Sequence, residues 1–288
     1  MSFESPSLPR RLRISVLPLV LAACATGGQA QIPATSAITL PALTYADLVS
    51  LAESASVIAR VRVKDQATVE PERARGIPPG MVRLYVEADT EAVLKAPAAL
   101  GESLAYLVDV PLDAKGRAPK LRKQSFLVFA RTVPGRPGQL QLVHPDAQIA
   151  ADVSTDARLR AVIAEIVSPE APPRITGVRD AMSVAGNLAG ESETQVFLDT
   201  ANGTPVSLTV LRRPGQEPVW GVSWTELVDQ SAQAPHRGTL EWYRLACFLP
   251  RELPQGAYLQ REQAARYQAQ ADYGFILSQL GECDRTRS

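Results

Sequence analysis

Apolar and polar residues alternate in several short runs in the first half of the chain. The runs 57–64, 82–89, 104–110 and 140–142 each keep a period of two. This period, with one polar face, is typical of strands in an antiparallel sheet. Residues 126–130 are apolar on both faces, which indicates a strand buried on both sides. Gly- and Pro-rich turns separate the five runs, so the sequence predicts a small closed barrel.

A helix is predicted ahead of the first strand. Thr44 is suited to the N-cap position, and Asp47 stands where it can complete a capping box. Leu43 can pack on Leu48 across the cap as a hydrophobic staple. The sequence therefore predicts that a short capped helix leads into the barrel.

The second half of the chain has three helix patterns. One has amphipathic spacing, with apolar side chains at Leu159, Val162, Ile163, Ile166 and Val167. Residues 239–249 are apolar nearly all round, so this helix needs burial on several sides. Residues 257–280 are rich in Gln and Ala and predict a long terminal helix.

Strand patterns lie between these helices. Alternation with a period of two, clear or partial, covers 175–184, 194–198, 206–210 and 220–224. Asn202 and Gly203 indicate a two-residue hairpin turn, because both central positions of such a turn need positive φ. Pro205 can then begin the return strand. These runs predict an antiparallel sheet flanked by helices.

Together the patterns predict an α+β fold. Residues 43–150 are expected to form an OB-like antiparallel β-barrel domain, and residues 151–288 an α+β domain with a C-terminal helix. Residues 1–23 are interpreted as a signal peptide. Residues 24–42 are small, polar and Pro-containing, which is typical of a tether.

The barrel segment resembles a known family in its layout. Residues 55–63, 88–95 and 125–129 follow one another as in netrin-like barrels of the metalloproteinase-inhibitor type. The resemblance covers residues 43–150 and implies an OB fold. Inhibitory members of that family use an N-terminal Cys and several disulfides, whereas residues 43–150 contain no Cys. The resemblance therefore implies a fold and no inhibitory mechanism.

The N-terminus has the pattern of an export signal. Three cations, Arg10, Arg11 and Arg13, precede the apolar segment 14–23. Ten residues rise about 15 Å as a helix, which is half of the hydrocarbon thickness of a bilayer. We therefore expect this segment to be removed on export, and we expect no transmembrane helix in the mature chain.

The end of this signal, Leu21-Ala22-Ala23-Cys24, resembles the lipobox of bacterial lipoproteins. The resemblance implies that Cys24 becomes the acylated N-terminus, so that a lipid holds the protein on a membrane. Ala25 follows, which by the same analogy implies the periplasmic face of the outer membrane. Cleavage after Ala30 is an alternative, and it would give a soluble periplasmic or secreted protein.

Composition narrows the range of partners. The 288 residues carry no net charge, and 45% of them are hydrophobic. This balance is ordinary for globular proteins and excludes a wholly disordered chain. Removal of residues 1–23 takes away three Arg and one Glu and leaves a net charge of −2. We therefore expect no nucleic-acid partner.

Three cysteines and two histidines leave little material for a metal site. We therefore expect no metal and no cofactor. If Cys24 is lipidated, Cys247 and Cys283 remain, and cysteines in an oxidising compartment commonly pair. A disulfide between them would join the helix at 239–249 to the chain's end. Two free thiols are the alternative.

A catalytic triad could be assembled from Ser223, His236 and Asp229. The Gly-x-Ser-x-Gly turn that exposes the nucleophile in many hydrolases is missing from the sequence. His144, the second histidine, follows the last barrel strand. We interpret both histidines as surface or capping residues, and no catalytic residue is assigned.

Three other groups could bind a ligand. Glu191 and Glu193 could hold a cation, although a calcium loop needs more oxygen ligands than two carboxylates provide. Arg212 and Arg213 could clamp an anion, or could end a hairpin in solvent. A third group is aromatic, with a ligand platform or core packing as alternatives: Trp220, Trp224, Trp242 and Tyr243.

These observations favour a non-enzymatic envelope protein with a binding or scaffolding role in the periplasm. Its partners would be the membrane, reached through the lipid on Cys24, and an envelope protein. A secreted hydrolase is one alternative. A protease-inhibitor-like module, suggested by the barrel alone, is another.

Overall fold

The computed structural model describes residues 43–225 and 233–287. The predicted signal peptide, the lipobox with Cys24 and the predicted tether lie outside the described residues and stay predictions. Among the described residues the fold is α+β, as the sequence predicts, with a closed barrel followed by a separate antiparallel sheet.

The barrel has five strands in the order that the OB fold uses. These are β1 (Val57–Thr68), β2 (Met81–Lys95), β3 (Ser103–Pro111), β4 (Ser125–Thr132) and β5 (Gln139–Leu142). The strand order is β1-β2-β3-β5-β4, and β4 pairs back onto β1 to close the barrel. All pairs are antiparallel except β3 and β5, which run parallel at Ala105 and Tyr106. A short strand, β6 (Gln148–Ala150), continues the sheet beside β4.

Strand β1 closes the barrel because both of its edges are paired. Its register with β2 shifts at three places between Ile58 and Asp65. Such irregularities increase the local twist and bend of a strand, which lets β1 coil from β2 onto β4. The inward side chains form an apolar core that includes Val57, Ala59, Val61, Leu84, Val86 and Val128, each with no exposed surface.

The first helix, α1 (Tyr45–Ser54), has the predicted capping box. The backbone N–H of Asp47 donates to the Thr44 hydroxyl at 3.0 Å, and Thr44 N–H donates to the Asp47 carboxylate at 3.1 Å. At the other end of α1, the Lys95 ammonium donates to the carbonyls of Ala52 and Ala55 at 2.9 and 2.7 Å. A cation at this end also suits the helix dipole, so both ends of α1 are satisfied.

The second half packs helices on one antiparallel sheet. Its strands are β7 (Ile175–Ala185), β8 (Ser192–Thr200), β9 (Val206–Arg212) and β10 (Val219–Ser223), in the spatial order β10-β9-β8-β7. Its helices are α2 (Val153–Val167), α3 (Leu240–Ala246) and α4 (Gln263–Leu280). Helix α4 packs on β7 and β8 through buried residues that include Tyr273 and Ile276.

The last helix begins six residues later than the sequence predicts. Residues 258–260 are extended instead and run beside the edge strand β7. Leu259 N–H donates to the Ala181 carbonyl at 3.0 Å. The Gln260 side chain exchanges two hydrogen bonds of 2.8 Å with the backbone of Ser183. This segment satisfies backbone groups at the sheet edge, which a helix in its place would leave unpaired.

Three local expectations are wrong in detail. The predicted two-residue turn at Asn202 and Gly203 is a five-residue connection, because β8 ends at Thr200 and β9 begins at Val206. Only Gly203 of this pair has positive φ. Val167, placed on the apolar face of α2, is 66% exposed. Helix α3 ends at Ala246, so it is shorter than the run 239–249.

Side-chain contacts join the barrel's helix α1 to the second half. The carboxylate of Glu53 binds Arg244 of α3 at 2.6 Å and Arg174 at 3.1 Å. The Tyr45 hydroxyl donates to the Glu165 carboxylate of α2. The domain boundary near residue 150 stays a prediction. In the part of the chain described here, no helix combines the length and apolar character needed to cross a bilayer.

Candidate functional site

A groove on the outer face of the barrel is the main candidate site. It runs across β2, β3 and β5 and has a volume of about 640 Å³. The cross-strand register builds its floor, because Arg83 stands opposite Asp109, and Tyr85 stands opposite Leu107. All four side chains alternate with core residues, so they point away from the barrel interior.

An ion pair lies at one end of this floor. The guanidinium of Arg83 donates to both carboxylate oxygens of Asp109, from Nε at 2.7 Å and from Nη2 at 2.8 Å. Asp109 is only 5% exposed. The hydrogen bonds to Asp109 raise the pKa of Arg83, an effect that partial burial opposes. The pair therefore presents a fixed donor and a fixed acceptor beside each other.

Two exposed apolar side chains form the middle of the floor. Tyr85 is 37% exposed and Leu107 is 48% exposed, although both belong to regular strands that pair with each other. An aromatic ring with a hydroxyl offers a flat surface for a ligand and a polar group at its edge. This part of the groove suits a flat, partly apolar ligand surface.

The wall on one side of this floor is formed by the loop between β4 and β5 and by β5 itself. Arg136, Gln139 and Gln141 are exposed along this wall. Gly138 positions the loop, because its carbonyl accepts from Ala105 N–H at 2.8 Å and its φ is +78°. A Cβ at this position would lie 3.2 Å from the Ser103 carbonyl oxygen. Glycine therefore allows the wall to approach β3 closely.

His144 closes the groove near Asp109. Its Nδ1 contacts the Asp146 carboxylate, which also accepts from Arg287 Nη1 at 3.4 Å. The His144 side chain remains 41% exposed. The partner of His144 is thus a carboxylate two residues further along the chain. This contact fixes the imidazole and leaves its other nitrogen for a ligand.

A second, smaller cavity brings together the acidic and basic groups weighed in the sequence. Its volume is about 510 Å³, and its lining includes Glu191, Glu193, Arg212 and Arg213. Three of these side chains are used within the protein, and Glu193 accepts from the Gln195 amide at 2.8 Å. Arg212 binds the buried carboxylate of Asp272, and Glu191 accepts from the backbone of the adjoining loop. The cavity offers less free charge than the sequence suggests.

The aromatic group divides between core and periphery. Trp242 and Tyr243 are each 1% exposed, and Trp242 Nε1 donates to the Leu280 carbonyl at 2.9 Å. Trp220 and Trp224 are partly buried against the core. Core packing therefore describes Trp242 and Tyr243, and these four residues do not form a ligand platform.

Cys247 and Cys283 lie at disulfide distance, with their Cα atoms 4.9 Å apart. The bond joins the residue after α3 to the segment that follows α4. Of the hypothetical triad, Asp229 lies outside the described residues, Ser223 is 6% exposed, and His236 is exposed on a loop. Across the described ranges, no group of three or more His, Cys, Asp or Glu side chains is placed to hold a metal.

The groove itself was not predicted from the sequence. The signal was present in the outward positions of β2 and β3, where Tyr85 and Leu107 interrupt a polar face. Exposed apolar residues such as these can be recognised as one binding surface only when the register of the neighbouring strands shows that they lie side by side. Compared with known proteins, the chain matches no protein-family model and no curated protein sequence.

Proposed function

We propose that the protein is a lipid-anchored component of a bacterial envelope whose barrel binds an oligosaccharide without transforming it. The single observation that carries the binding role is the groove across β2, β3 and β5. OB barrels bind oligosaccharides and oligonucleotides on the face of strands 2 and 3. The mature charge of −2 gives the protein as a whole no long-range attraction for nucleic acid, so we take the sugar as the ligand.

The chemistry of the groove suits a sugar chain. A sugar hydroxyl both donates and accepts, and the groove offers donors and acceptors side by side in Arg83, Asp109, Gln139 and Gln141. Tyr85 provides a flat ring against which the apolar face of a pyranose can pack. The volume of about 640 Å³ lies within the range of ligand sites, about 300–1,000 Å³.

The location rests on the lipobox-like sequence that ends at Cys24. An acyl anchor would hold the barrel at the periplasmic face of the outer membrane, with residues 25–42 as a spacer. A soluble periplasmic or secreted protein is the alternative. The hydrolase alternative depends on Ser223, which is buried, and no feature of the described residues favours it over binding.

Metabolic labelling with a palmitate analogue tests the anchor. We expect label on the wild-type chain, none on Cys24→Ala, and accumulation of the uncleaved precursor with globomycin. Equal labelling of both proteins, or a mature N-terminus at Gln31, would reject the lipid anchor. Exported, unlabelled protein would then support the soluble alternative.

Calorimetric titration with neutral and acidic oligosaccharides tests the groove. We expect Tyr85→Ala to weaken binding about tenfold, because the stacking surface is lost. Tyr267→Ala is the matched control, since Tyr267 is a 75% exposed tyrosine on α4. Equal affinities for the two variants would remove the groove as the binding site, and no binding of any sugar would reject the proposed function.

A further inference from the structure

The loop between β3 and β4 is strongly basic. We call residues 112–124 the basic loop. It contains one anion, Asp113, and five cations: Lys115, Arg117, Lys120, Arg122 and Lys123. All five cationic side chains are exposed, whereas the complete chain has no net charge. The thirteen residues of the basic loop therefore carry a net charge of +4.

The basic loop is held firmly on the barrel. Leu121 is 6% exposed, and its N–H donates to the Gln66 side chain of β1. The Gln66 amide in turn donates to the Pro119 carbonyl at 2.8 Å. Lys123 N–H donates to the Val63 carbonyl at 2.8 Å. The cations are thus presented by a fixed backbone, which lowers the entropic cost of binding a ligand.

Most of this charge is available to a ligand. Arg117 pairs with Asp113 at 3.0 Å, and Arg122 lies 3.7 Å from Asp65. Both ion pairs are exposed to solvent, so each contributes little free energy. For the lysines at 115, 120 and 123, no ion pair occurs with any residue that the structure describes. The surface can therefore bind several anionic groups at once.

The basic loop begins three residues after Asp109 of the groove. Pro111 ends β3 two residues after Asp109, and Leu112 N–H donates to the Gly80 carbonyl at 2.9 Å, next to the start of β2. Arg136 lies on the wall formed by β5 and the loop before it, and Arg83 lies between Arg136 and the basic loop. Arg136, Arg83 and the start of the basic loop are therefore spread along β3, whose nine residues span about 30 Å. A ligand of this length is a polymer.

We infer that the groove binds an anionic polysaccharide, the chain of which leaves the groove over the basic loop. This inference rests on the proposed function and names its ligand class. A polymer is favoured over a membrane surface because the two leucines of the basic loop, Leu112 and Leu121, are partly and fully buried. Surface-bound membrane segments instead expose apolar side chains that enter the bilayer.

Binding of polygalacturonate, neutral dextran and vesicles containing phosphatidylglycerol to the full mature chain tests the inference. The loop variant carries Lys115→Gln, Lys120→Gln and Lys123→Gln. The control carries Arg213→Gln, Arg251→Gln and Arg261→Gln, three exposed cations of the second half. Both variants lose the same net charge. Each titration is repeated at two salt concentrations.

We expect wild-type protein to bind polygalacturonate more tightly than dextran, with affinity falling as salt rises. The loop variant should lose about tenfold or more in affinity, and the control less than twofold. Equal losses in the two variants, or binding of the vesicles without binding of the polymer, would overturn the inference. The proposed function is judged separately, because a loss in Tyr85→Ala with no loss in the loop variant would support the groove and reject the basic loop.

Discussion

Asp47, near the start of α1, binds Thr286, near the end of the chain. The backbone N–H of Thr286 donates to Asp47 Oδ1, and its hydroxyl donates to Asp47 Oδ2, both at 2.8 Å. Arg287 N–H adds a third bond at 2.9 Å. The same carboxylate caps α1 through Thr44. One buried side chain thus stabilises a helix start and fixes the terminal segment on the barrel.

We expect Asp47→Asn to lower the free energy of unfolding by about 2 kcal/mol at neutral pH, because an amide nitrogen would face N–H donors. Burial alone would raise the pKa of Asp47, but hydrogen bonds from Thr44, Arg287 and Thr286 outweigh it, so the pKa is lowered from 3.8. Because the pKa of Asp47 in the folded protein lies below its ordinary value, the ionised carboxylate stabilises the fold at pH values above about 4. This stability is lost as the pH falls further, towards the pKa of the folded state.

Urea denaturation between pH 7 and pH 3 measures this difference. The gap between wild type and Asp47→Asn should narrow on acidification. Asp89→Asn, which changes an exposed carboxylate of β2, is the control and should stay within about 0.5 kcal/mol of wild type. A constant gap at every pH would show that the charge of Asp47 does not contribute.

A second prediction concerns the buried pair of Glu53 and Arg244. Arg244 is 3% exposed, and its Nε also donates to the Pro172 carbonyl at 3.1 Å. Glu53→Gln leaves this guanidinium in the interior without its anion, so it should cost about 3–5 kcal/mol. The double variant Glu53→Gln/Arg244→Met should recover part of that loss, because no buried charge remains.

Chemical denaturation of the single and double variants tests this account. Arg174→Gln is the control, because Arg174 contacts the same carboxylate but its side chain is 55% exposed. It should cost less than about 1 kcal/mol. If the loss of stability in the double variant equals the sum of the losses in Glu53→Gln and Arg244→Met, the two side chains contribute independently.

The disulfide gives a third prediction. Cys247 and Cys283 are separated by 36 residues, and opening a loop of this size should lower the free energy of unfolding by about 3–4 kcal/mol. Cys247→Ala/Cys283→Ala and reduced wild-type protein should therefore unfold at the same lower denaturant concentration. Both are measured in a Cys24→Ala background to remove the remaining thiol. Equal stability with and without reductant would contradict the pairing.

The regular elements follow from local pattern because their signals are local. Alternation in 57–64 and 82–89 is enough to predict β1 and β2, and the capping box at Thr44 and Asp47 predicts the start of α1. Hydrophobic periodicity reports which face of an element is buried, and this requires no knowledge of its neighbours.

The site and the terminal segment depend on contacts that no local pattern contains. The groove exists because the register of β2 and β3 sets Tyr85 opposite Leu107. Asp47 and Thr286 are 239 residues apart and lie in segments without a shared periodicity. The start of α4 was also misplaced, because pairing of residues 258–260 with the edge of β7 overrides their helix propensity.

Substitutions of Arg83 and Asp109, which form an ion pair, are expected to change the affinity in opposite directions. This difference separates an effect on binding from an effect on folding. Asp109→Asn removes a negative charge from the groove floor and frees part of the Arg83 guanidinium. It should strengthen polygalacturonate binding about threefold, whereas Arg83→Gln should weaken it by a similar factor. Both variants break the same pair and should lower stability, Arg83→Gln by the larger amount because it leaves the 5% exposed carboxylate of Asp109 without its cation.

Thermal denaturation and calorimetric titration of the two variants, each at the same ionic strength, measure the two effects independently. If the pair served only to stabilise the barrel, both substitutions would weaken binding together with folding. Opposite changes in affinity, with stability lowered in both variants, instead require the ligand to sense the charge at this position. Arg60→Gln is the control, because Arg60 forms an ion pair with Glu91 at 2.9 Å outside the groove. It should leave the affinity within about twofold of wild type, because charges beyond a Debye length of about 10 Å are screened.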